Sequence, residues 1–165
     1  MLRESFLEGM SRAATTVAVV TTDGPAGRAG VTVSALCSVS ADRPALLVCV
    51  HQQSPACAAI RANGSFCVNL LRADQADISD TFAGRLKRSD GDKFGCAAWQ
   101  RLATGSPALE DALVTFDCTL MRDLDWGSHT IFIADVVDIE LAKPGSPLVY
   151  ANRSYATSQP AKAAI

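Results

Sequence analysis

The chain has 165 residues, of which 48% are hydrophobic and 19% charged, so it is long enough to form one domain, residues 1–165, with its own core. A net charge of −2 and a pI near 5.6 give no reason to expect a nucleic-acid partner. No apolar run approaches the roughly 18 to 20 residues of a membrane span, so we expect no membrane association. The N-terminal residues carry two acids and lack a continuous apolar segment, so we also expect no export.

The first elements are local and short. Phe6 and Met10 are spaced as on an amphipathic helix, which we place in residues 1–14. The β-branched segment 15–22 predicts a strand, and the Gly- and Pro-rich segment 23–30 predicts a hairpin turn.

The next segment, GVTVSALCSVS at 30–40, alternates with period two, which is typical of a half-buried strand. The odd positions are apolar, whereas four of the five even positions carry a hydroxyl and none is charged. We expect the odd positions to pack into the core. The hydroxyl face either satisfies local backbone groups or meets a polar ligand that needs close approach, such as a ribityl chain or a phosphate. Periodicity alone favours the first interpretation.

The remaining elements follow without a linker or a repeat. The run ALLVCV at 45–50 predicts a strand buried on both faces. Ser54 as N-cap, Pro55 and Gly64 as C-cap predict a helix between them. Further predicted elements are a strand at 65–71, a helix at 73–84 capped by Asp74, a charged loop at 85–95, long strands within 113–141, a short strand at 147–151 and a loose tail at 156–165.

This order of elements predicts the fold class. At least six strands and two or three short helices occur, and they do not alternate strictly, which argues against a doubly wound parallel sheet. We therefore predict a mainly β protein, a mostly antiparallel closed barrel with helices at its ends.

Cysteine and histidine usage argues against disulfides and metals. The six cysteines lie inside apolar runs or beside alanines, no C-x-x-C pair occurs, and His51 and His129 stand apart from any ligand cluster. We expect small buried thiols in a reducing cytoplasm and no metal site. No P-loop, G-x-G-x-x-G or G-x-S-x-G motif is present, so a redox protein that depends on a cofactor fits better than a hydrolase or a kinase.

Three further segments carry candidate site residues. In HQQSP at 51–55 a predicted buried strand ends and a predicted helix begins. The amides at a helix N-terminus favour an anion, but an N-cap without a ligand explains the same pattern. Lys93 and Phe94 suit a phosphate and a ring, or a solvated loop. His129 begins a strand, where a structural role is more frequent than a catalytic one.

Taken in order, several stretches resemble the short-chain flavin reductase family, of the split-barrel FMN-binding type. The likeness runs from about residue 6 to residue 155 and includes reductase components of two-component monooxygenases, such as the 4-hydroxyphenylacetate 3-monooxygenase system. The matching stretches are VAVVTTDGPAGRAGVTVSALCSVS, PALLVCVHQQSPACAAIRANGSFCVNLL, FAG, KF, GSPALEDALVTFDCTL, GSHTIFIADVVDI and PLVYANRSY.

The resemblance implies a homodimeric antiparallel split β-barrel with the flavin near the subunit interface. It implies a cytoplasmic reductase that takes a hydride from NADH or NADPH, passes it to FMN or FAD, and releases the reduced flavin to a diffusing flavin-dependent oxygenase partner. The residues it places at the cofactors are Thr32, Val33, Ser34 and Ala35 along the ring and ribityl chain, Ser38 or Ser40 nearby, His51, Gln52, Gln53 and Ser54 at the phosphate, Lys93 and Phe94 closing the pocket, His129 beside flavin and nicotinamide, and Tyr150 and Tyr155 at the nicotinamide.

Some choices stay open at this point. The family often has Asn-Arg-Ser-Ser where this chain has His51-Gln52-Gln53-Ser54, so the turn itself offers no arginine to a phosphate. A basic residue for the 2′-phosphate of NADPH could be Arg85, Lys87 or Arg88, or that loop is simply solvated. Alternatives to the reductase are a redox carrier that keeps FMN as a prosthetic group and a non-catalytic β-barrel binding module.

Overall fold

A computed structural model describes residues 1–161 as a mainly β structure with three α-helices. The helices are α1 (Leu2–Ser11), α2 (Pro55–Asn63) and α3 (Ala76–Phe82), and a 3₁₀ turn occupies Lys93–Cys96. The strands are β1 (Thr15–Thr16), β2 (Ala18–Thr22), β3 (Ala29–Val33), β4 (Leu36–Ser40), β5 (Ala45–His51), β6 (Ser65–Leu70), β7 (Trp99–Arg101), β8 (Pro107–Leu109), β9 (Val114–Trp126), β10 (His129–Leu141), β11 (Leu148–Ala151) and β12 (Ser154–Thr157).

One large antiparallel sheet organises the chain. Its seven strands run in the order β3-β2-β6-β9-β10-β5-β4, and two small sheets, β1-β11-β12 and β7-β8, stand beside it. The mainly β, antiparallel prediction is confirmed. The prediction of a closed barrel is wrong for residues 1–161, because the two edge strands β3 and β4 form no ladder with each other and the sheet stays open there.

The core lies on one face of this sheet and under α2. Its fully buried members come from five strands and α2, and include Val20, Val48, Ile60, Phe66, Val68 and Phe132. A second cluster, around Phe82 of α3, joins α3 to the junction of β1 and β2 through Val17 and to β11 through Leu148. Both clusters border β3, which therefore stands between the core and α3.

The segment 30–40 forms two strands where the sequence predicts one. The strand is interrupted at Ser34 and Ala35, where the chain passes from the β3 edge to the β4 edge, and the Ala35 carbonyl already accepts from the Cys49 amide of β5 at 3.1 Å. This crossing reverses the alternation, so Leu36 packs against the core while Cys37 and Val39 are exposed. The expectation that every odd position up to Val39 is buried is therefore wrong.

Strand β5 is fully buried on one face only. Leu46, Val48 and Val50 point into the core, whereas Leu47 and Cys49 remain half-buried on the opposite face of the sheet. The apolar run at 45–50 thus does not show burial on both faces within one chain.

The capping residues in the sequence predict the positions of α2 and α3 to within a few residues. Helix α2 has Ser54 as N-cap and ends at Gly64, which adopts the left-handed conformation with φ 72°. Helix α3 begins after Gln75, one residue beyond the predicted cap Asp74. At the C-terminal end, β12 reaches Thr157, two residues into the segment expected to be loose, and residues 162–165 of that segment lie outside the described part.

All six cysteines are free thiols in the described chain. Cys57, Cys67 and Cys118 are buried, and burial raises the pKa of the Cys67 and Cys118 thiols far above the usual range. Cys37 is exposed, contrary to the expectation of buried thiols. Within residues 1–161 no helix has the length and apolar character to cross a membrane.

Candidate functional site

Two cavities follow one another along strand β3. The first, which we call the tyrosine cavity, has a volume of about 170 Å³. It is lined by Val17, Thr32, Val33, Ser34, Ser79, Ala83, Arg85, Tyr150 and Tyr155. The strand contributes its last residues, helix α3 contributes one wall, and the β11–β12 hairpin contributes the two tyrosines.

A polar network closes one side of the tyrosine cavity. The Tyr155 hydroxyl donates to Asp80 Oδ1 at 2.6 Å and lies 2.9 Å from Ser79 Oγ. Arg85 donates to the same Asp80 oxygen at 3.3 Å. Burial, followed by the bond to Asp80, raises the pKa of Tyr155. Two residues that line this cavity, the Tyr155 phenol and the Arg85 guanidinium, therefore share one carboxylate, which itself stands outside the lining.

The hydroxyl face of β3 has two separate uses. Thr32 Oγ1 donates to the Ser79 carbonyl at 2.7 Å and so ties β3 to α3, whereas Ser34 is exposed at the end of the strand. The outer edge of β3 has no strand partner among residues 1–161, which leaves backbone groups available to a ligand.

The second cavity, which we call the cation cavity, has a volume of about 270 Å³. It is lined by Arg28, Ala29, Gly30, Ser54, Pro55, Ala56, Gly91, Asp92, Lys93 and Phe94. Because Gly30 and Thr32 are two residues apart in one strand, about 6.6 Å, the two cavities are neighbours on the same side of β3. Ser54, Pro55 and Ala56 at the start of α2 line the cation cavity, and the Ala56 amide favours an anion there. Pro55 has no N–H, and the Ser54 amide donates to the His51 carbonyl at 2.9 Å.

Two basic side chains reach the cation cavity from distant parts of the chain. The Arg28 guanidinium lies 4.3 Å from the centre of the Phe94 ring and 3.1 Å from Asp92 Oδ2. Lys93 Nζ lies 3.4 Å from the Phe82 carbonyl. The turn at 51–54 has no lysine or arginine, whereas Arg28 and Lys93 bring positive charge to the cavity that Ser54 also lines, beside the Asp92 carboxylate. Arg28 was not among the predicted site residues, although it is the one cation of the Gly-rich turn 23–30.

Phe94 supports the cavity from beneath. Its ring is buried and packs edge-on against Phe82 and Trp99, with ring centroids 5.1 Å apart in both pairs. The Trp99 indole donates to the Phe94 carbonyl at 2.8 Å. Most of the Phe94 ring therefore packs within the protein and under Arg28, and its remaining surface lines the cation cavity.

The two histidines lie side by side, although nothing in the sequence pairs them. His129 at the start of β10 is the register partner of His51 at the end of β5, and their ring centroids are 5.0 Å apart. Gln52 Nε2 donates to the His129 carbonyl at 3.1 Å, and the Gln53 amide donates to His51 Nδ1 at 3.2 Å. The turn 51–54 thus connects the histidine pair with Ser54 of the cation cavity.

Not all predicted residues come together. Ser38 and Ser40 line a different, apolar recess beside Leu36 and Phe116, because the chain crosses to the other sheet edge after Ser34. Ala35 is exposed in that crossing. Thr32, Val33, Ser34, Tyr150 and Tyr155 share the tyrosine cavity, and Ser54, Lys93 and Phe94 share the cation cavity.

The arrangement suits a ligand with a flat ring at one end and a phosphate at the other. Small residues and a free strand edge at Thr32 to Ser34 leave room for close approach of a ring system. Arg28 and Lys93 offer charge to a phosphate, and the Ala56 amide at the α2 N-terminus offers a donor. The residues present therefore fit a flavin mononucleotide.

Comparison with known proteins agrees with this chemistry. Residues 10–159 match the family described as flavin reductase like domain. The chain is 42% identical over 153 residues to the FMN reductase (NADH) RutF 1 of Methylorubrum extorquens, covering 93% of this chain and 75% of that protein. It is 39% identical over 155 residues to the FMN reductase (NADH) RutF of Stutzerimonas stutzeri, covering 94% and 88%. The crystal structure of BorF, the flavin reductase component of a bacterial two-component tryptophan halogenase, superposes with a TM-score of 0.84 at 33% identity, covering 94% of this chain and 97% of that one.

Proposed function

The chain belongs to the flavin reductase like domain family, and from that membership we propose that it is an NADH-dependent flavin reductase. It transfers a hydride from NADH to FMN and releases reduced flavin for a separate flavin-dependent oxygenase. The observation that carries the proposal is the pair of cavities on β3, one with small residues and tyrosines, the other with Arg28, Lys93 and a helix N-terminus. The names of the relatives support FMN and NADH in particular.

The protein's share of the reaction is binding and orientation. The nicotinamide and the flavin supply the hydride chemistry themselves, and the chain has to hold the two rings at about 3 to 3.5 Å. Arg28, Lys93 and Ser54 hold the phosphate, and Thr32 to Ser34 hold the ring. His129 orients the pair or assists it electrostatically and carries no hydride.

One experiment separates this function from its rivals. The purified protein is mixed in air with NADH and either FMN or FAD, and the absorbance at 340 nm is followed. Flavin-dependent loss of NADH by a colourless protein supports the reductase. A protein that purifies yellow and turns over without added flavin is a carrier with a prosthetic flavin. If the protein neither binds flavin nor consumes NADH, the reductase is refuted and a β-sheet binding module is the remaining interpretation.

His129→Ala tests the assigned role of the histidine. We expect turnover to fall by roughly tenfold to a hundredfold, because removal of one electrostatic group at a reacting centre typically costs one or two powers of ten or more. Arg3→Ala, at an exposed position of helix α1, is the control and keeps normal turnover. Unchanged NADH affinity and turnover in His129→Ala would remove this residue from the mechanism.

We also propose that the chain acts as a homodimer in the cytoplasm, with six free thiols as support for the compartment. The support for the dimer is an apolar face of the sheet, turned away from the core, which we call the outer face. Residues in cross-strand register share a face, so its members are His51, His129 and Trp126; Cys49, Ile131 and Leu124; and Leu47, Ile133 and Arg122. Leu124 and Trp126 are 56% and 76% exposed.

A further inference from the structure

One carboxylate lies among the groups of the cation cavity to which we assign the flavin phosphate. The charged residues that line this cavity are Arg28, Asp92 and Lys93. Arg28 forms an ion pair with Asp92 at 3.1 Å, whereas Lys93 donates to the Phe82 carbonyl. The cavity therefore offers a phosphate two cations and one anion, and the anion is already bound to one of the cations.

Backbone contacts hold the Asp92 carboxylate in this position. Its Oδ1 accepts the Phe94 amide at 3.0 Å and so caps the 3₁₀ turn Lys93–Cys96. The Asp92 amide donates to Asp90 Oδ1 at 3.1 Å. The turn thus fixes the carboxylate independently of Arg28.

The Arg28 guanidinium is supported from a second side. It lies over the Phe94 ring, 4.3 Å from the ring centre, which is a cation–π contact. Both Asp92 oxygens approach the same nitrogen, Nη2, at 3.3 and 3.1 Å. The two side chains are 45% and 48% exposed, and such a half-exposed pair does little to fix a geometry. Asp92 therefore reduces the positive charge of the cavity more than it orients Arg28.

We propose that Asp92 is a resident anion of the phosphate site: its carboxylate competes with the flavin phosphate for Arg28 and so keeps FMN exchangeable. This inference rests on the proposed flavin reductase function and names the residue that makes the flavin a released substrate and not a prosthetic group.

The charges explain the direction of the effect. A phosphate monoester carries about 1.5 to 2 negative charges at pH 7. It is attracted by Arg28 and Lys93 and repelled by Asp92, which shares with them a cavity of about 270 Å³. Like charges brought together lower affinity. Removal of the Asp92 charge should therefore tighten the binding of a flavin that carries the phosphate and leave a flavin without it unaffected.

Titration of flavin-free protein with FMN and with riboflavin tests this without any turnover. Riboflavin has the same ring and ribityl chain but no phosphate, and flavin fluorescence reports the binding of both. In Asp92→Asn the side-chain oxygen that accepts the Phe94 amide is kept and the charge is removed. We expect the Kd of FMN to fall by about fivefold, the size of one half-exposed charge interaction, while the Kd of riboflavin stays unchanged.

Two further readouts follow from the same variant. The gain in FMN affinity should shrink at high salt, because salt screens half-exposed charges. FMN release after rapid dilution should be slower than in wild type, because affinity differences between related complexes lie mostly in the dissociation rate.

Variants of Arg28 show whether the competition passes through this residue. In the Arg28→Met background, Asp92→Asn should change the FMN affinity by less than about twofold, since two residues in contact do not act additively. An effect of Asp92→Asn that is as large without Arg28 as with it would contradict the competition.

Asp135→Asn is the matched control. It removes the same charge from another arginine pair, with Arg43, and Asp135 lies opposite Ala45 at the far end of β5 from the turn 51–54. Both flavin affinities should stay at the wild-type values.

Three results would overturn the inference. Unchanged FMN affinity in Asp92→Asn would remove the competition, and weaker FMN binding would make Asp92 a residue that positions Arg28 for the phosphate. Equal shifts for FMN and riboflavin would reflect a change in the fold of the loop. Failure of the proposed function is a different outcome: wild type would then bind FMN without oxidising NADH, and the direction of the Asp92→Asn shift would still decide the role of Asp92.

Discussion

At the scale of single residues, Gly30 shows how closely β3 and α3 approach each other. A Cβ atom at this position would lie 2.6 Å from Phe82 Cε1 and 3.3 Å from the Val20 carbonyl oxygen. Phe82 cannot move aside easily, because its buried ring is held between Phe94 and Trp99. The absence of a side chain at Gly30 therefore permits the contact that places α3 beside both cavities.

Gly30→Ala should destabilise the protein by about 1–3 kcal/mol, the usual cost of overpacking a well-packed cluster. It should also weaken FMN binding, because Gly30 lines the cation cavity. Urea unfolding and FMN titration measure the two effects. Gly9→Ala is the matched control: Gly9 lies in α1 with nothing within 4 Å of the added Cβ, so it should be neutral or stabilise by up to about 1 kcal/mol. Equal stability of the two variants would contradict the packing interpretation.

Sequence predicts those site residues whose role is decided by their neighbours in the chain. Ser54, Pro55 and Gly64 mark the ends of α2 through local backbone preferences, and they lie where expected. Arg28 was missed as a site residue because its partner lies far away in sequence: it meets Asp92. The sequence around a polar residue in a turn or on a short helix does not indicate a contact with a residue far away in the chain.

At the scale of elements, a set of polar contacts fastens α2 to the tip of the β9–β10 hairpin. Arg61 of α2 pairs with Asp123 and Asp125, both on β9. Thr130 of β10 donates to Asp125 Oδ1 at 2.6 Å, and Cys57 of α2 donates to Thr130. The hairpin tip carries His129, and the N-terminal end of α2 lines the cation cavity. These contacts therefore fix the distance between His129 and the cation cavity.

Arg61→Met should loosen the hairpin tip and leave most of the sheet unchanged. We expect faster amide hydrogen exchange in residues 123–131, because opening of a locally stabilised unit raises exchange there first. Arg43→Met is the control, since Arg43 pairs with Asp135 on the same strand β10, away from the tip. Exchange at the tip that is identical in both variants would show that the Arg61 contacts do not hold it.

The same contacts predict a pH dependence of stability. Bonds from Thr130 and then Arg61 lower the pKa of Asp125 below its ordinary value. A carboxyl with a depressed pKa in the folded state stabilises above its unfolded pKa, and the stabilisation disappears as the pH falls through the folded pKa. The difference in stability between wild type and Asp125→Asn should therefore be largest at neutral pH and shrink below about pH 4. A constant difference from pH 7 to pH 3 in urea unfolding would refute this origin.

At the scale of the whole molecule, the antiparallel class was predictable and the open edge was not. Turn-rich joins and period-two strands indicate antiparallel neighbours, as β2–β3 and β9–β10 confirm. Which strands form the edges depends on pairings between distant segments, such as β6 with β9, that no local pattern specifies. For this reason the sequence predicts one continuous strand over 30–40 and does not indicate the crossing at Ser34 and Ala35.

The outer face provides the test of the proposed dimer. Strand β5 has the composition of a strand buried on both faces, yet in one chain its second face stays half-buried, and a second copy seated there would complete the burial. Ile131→Glu and Leu124→Glu put a charge in the middle of this face, and desolvating an unpaired carboxylate in an interface is strongly unfavourable. We expect wild type to sediment at twice the chain mass and both variants at the mass of one chain.

Leu2→Glu, at an equally apolar and more exposed position on α1, should remain dimeric and is the matched control. Circular dichroism confirms that the variants are folded, which is expected because Leu124 is already more than half exposed. A monomeric wild type would refute the dimer itself. A dimeric Ile131→Glu together with a monomeric Leu2→Glu would move the interface to α1, and the half-buried face of β5 would then be left to solvent in the assembly as it is in the single chain.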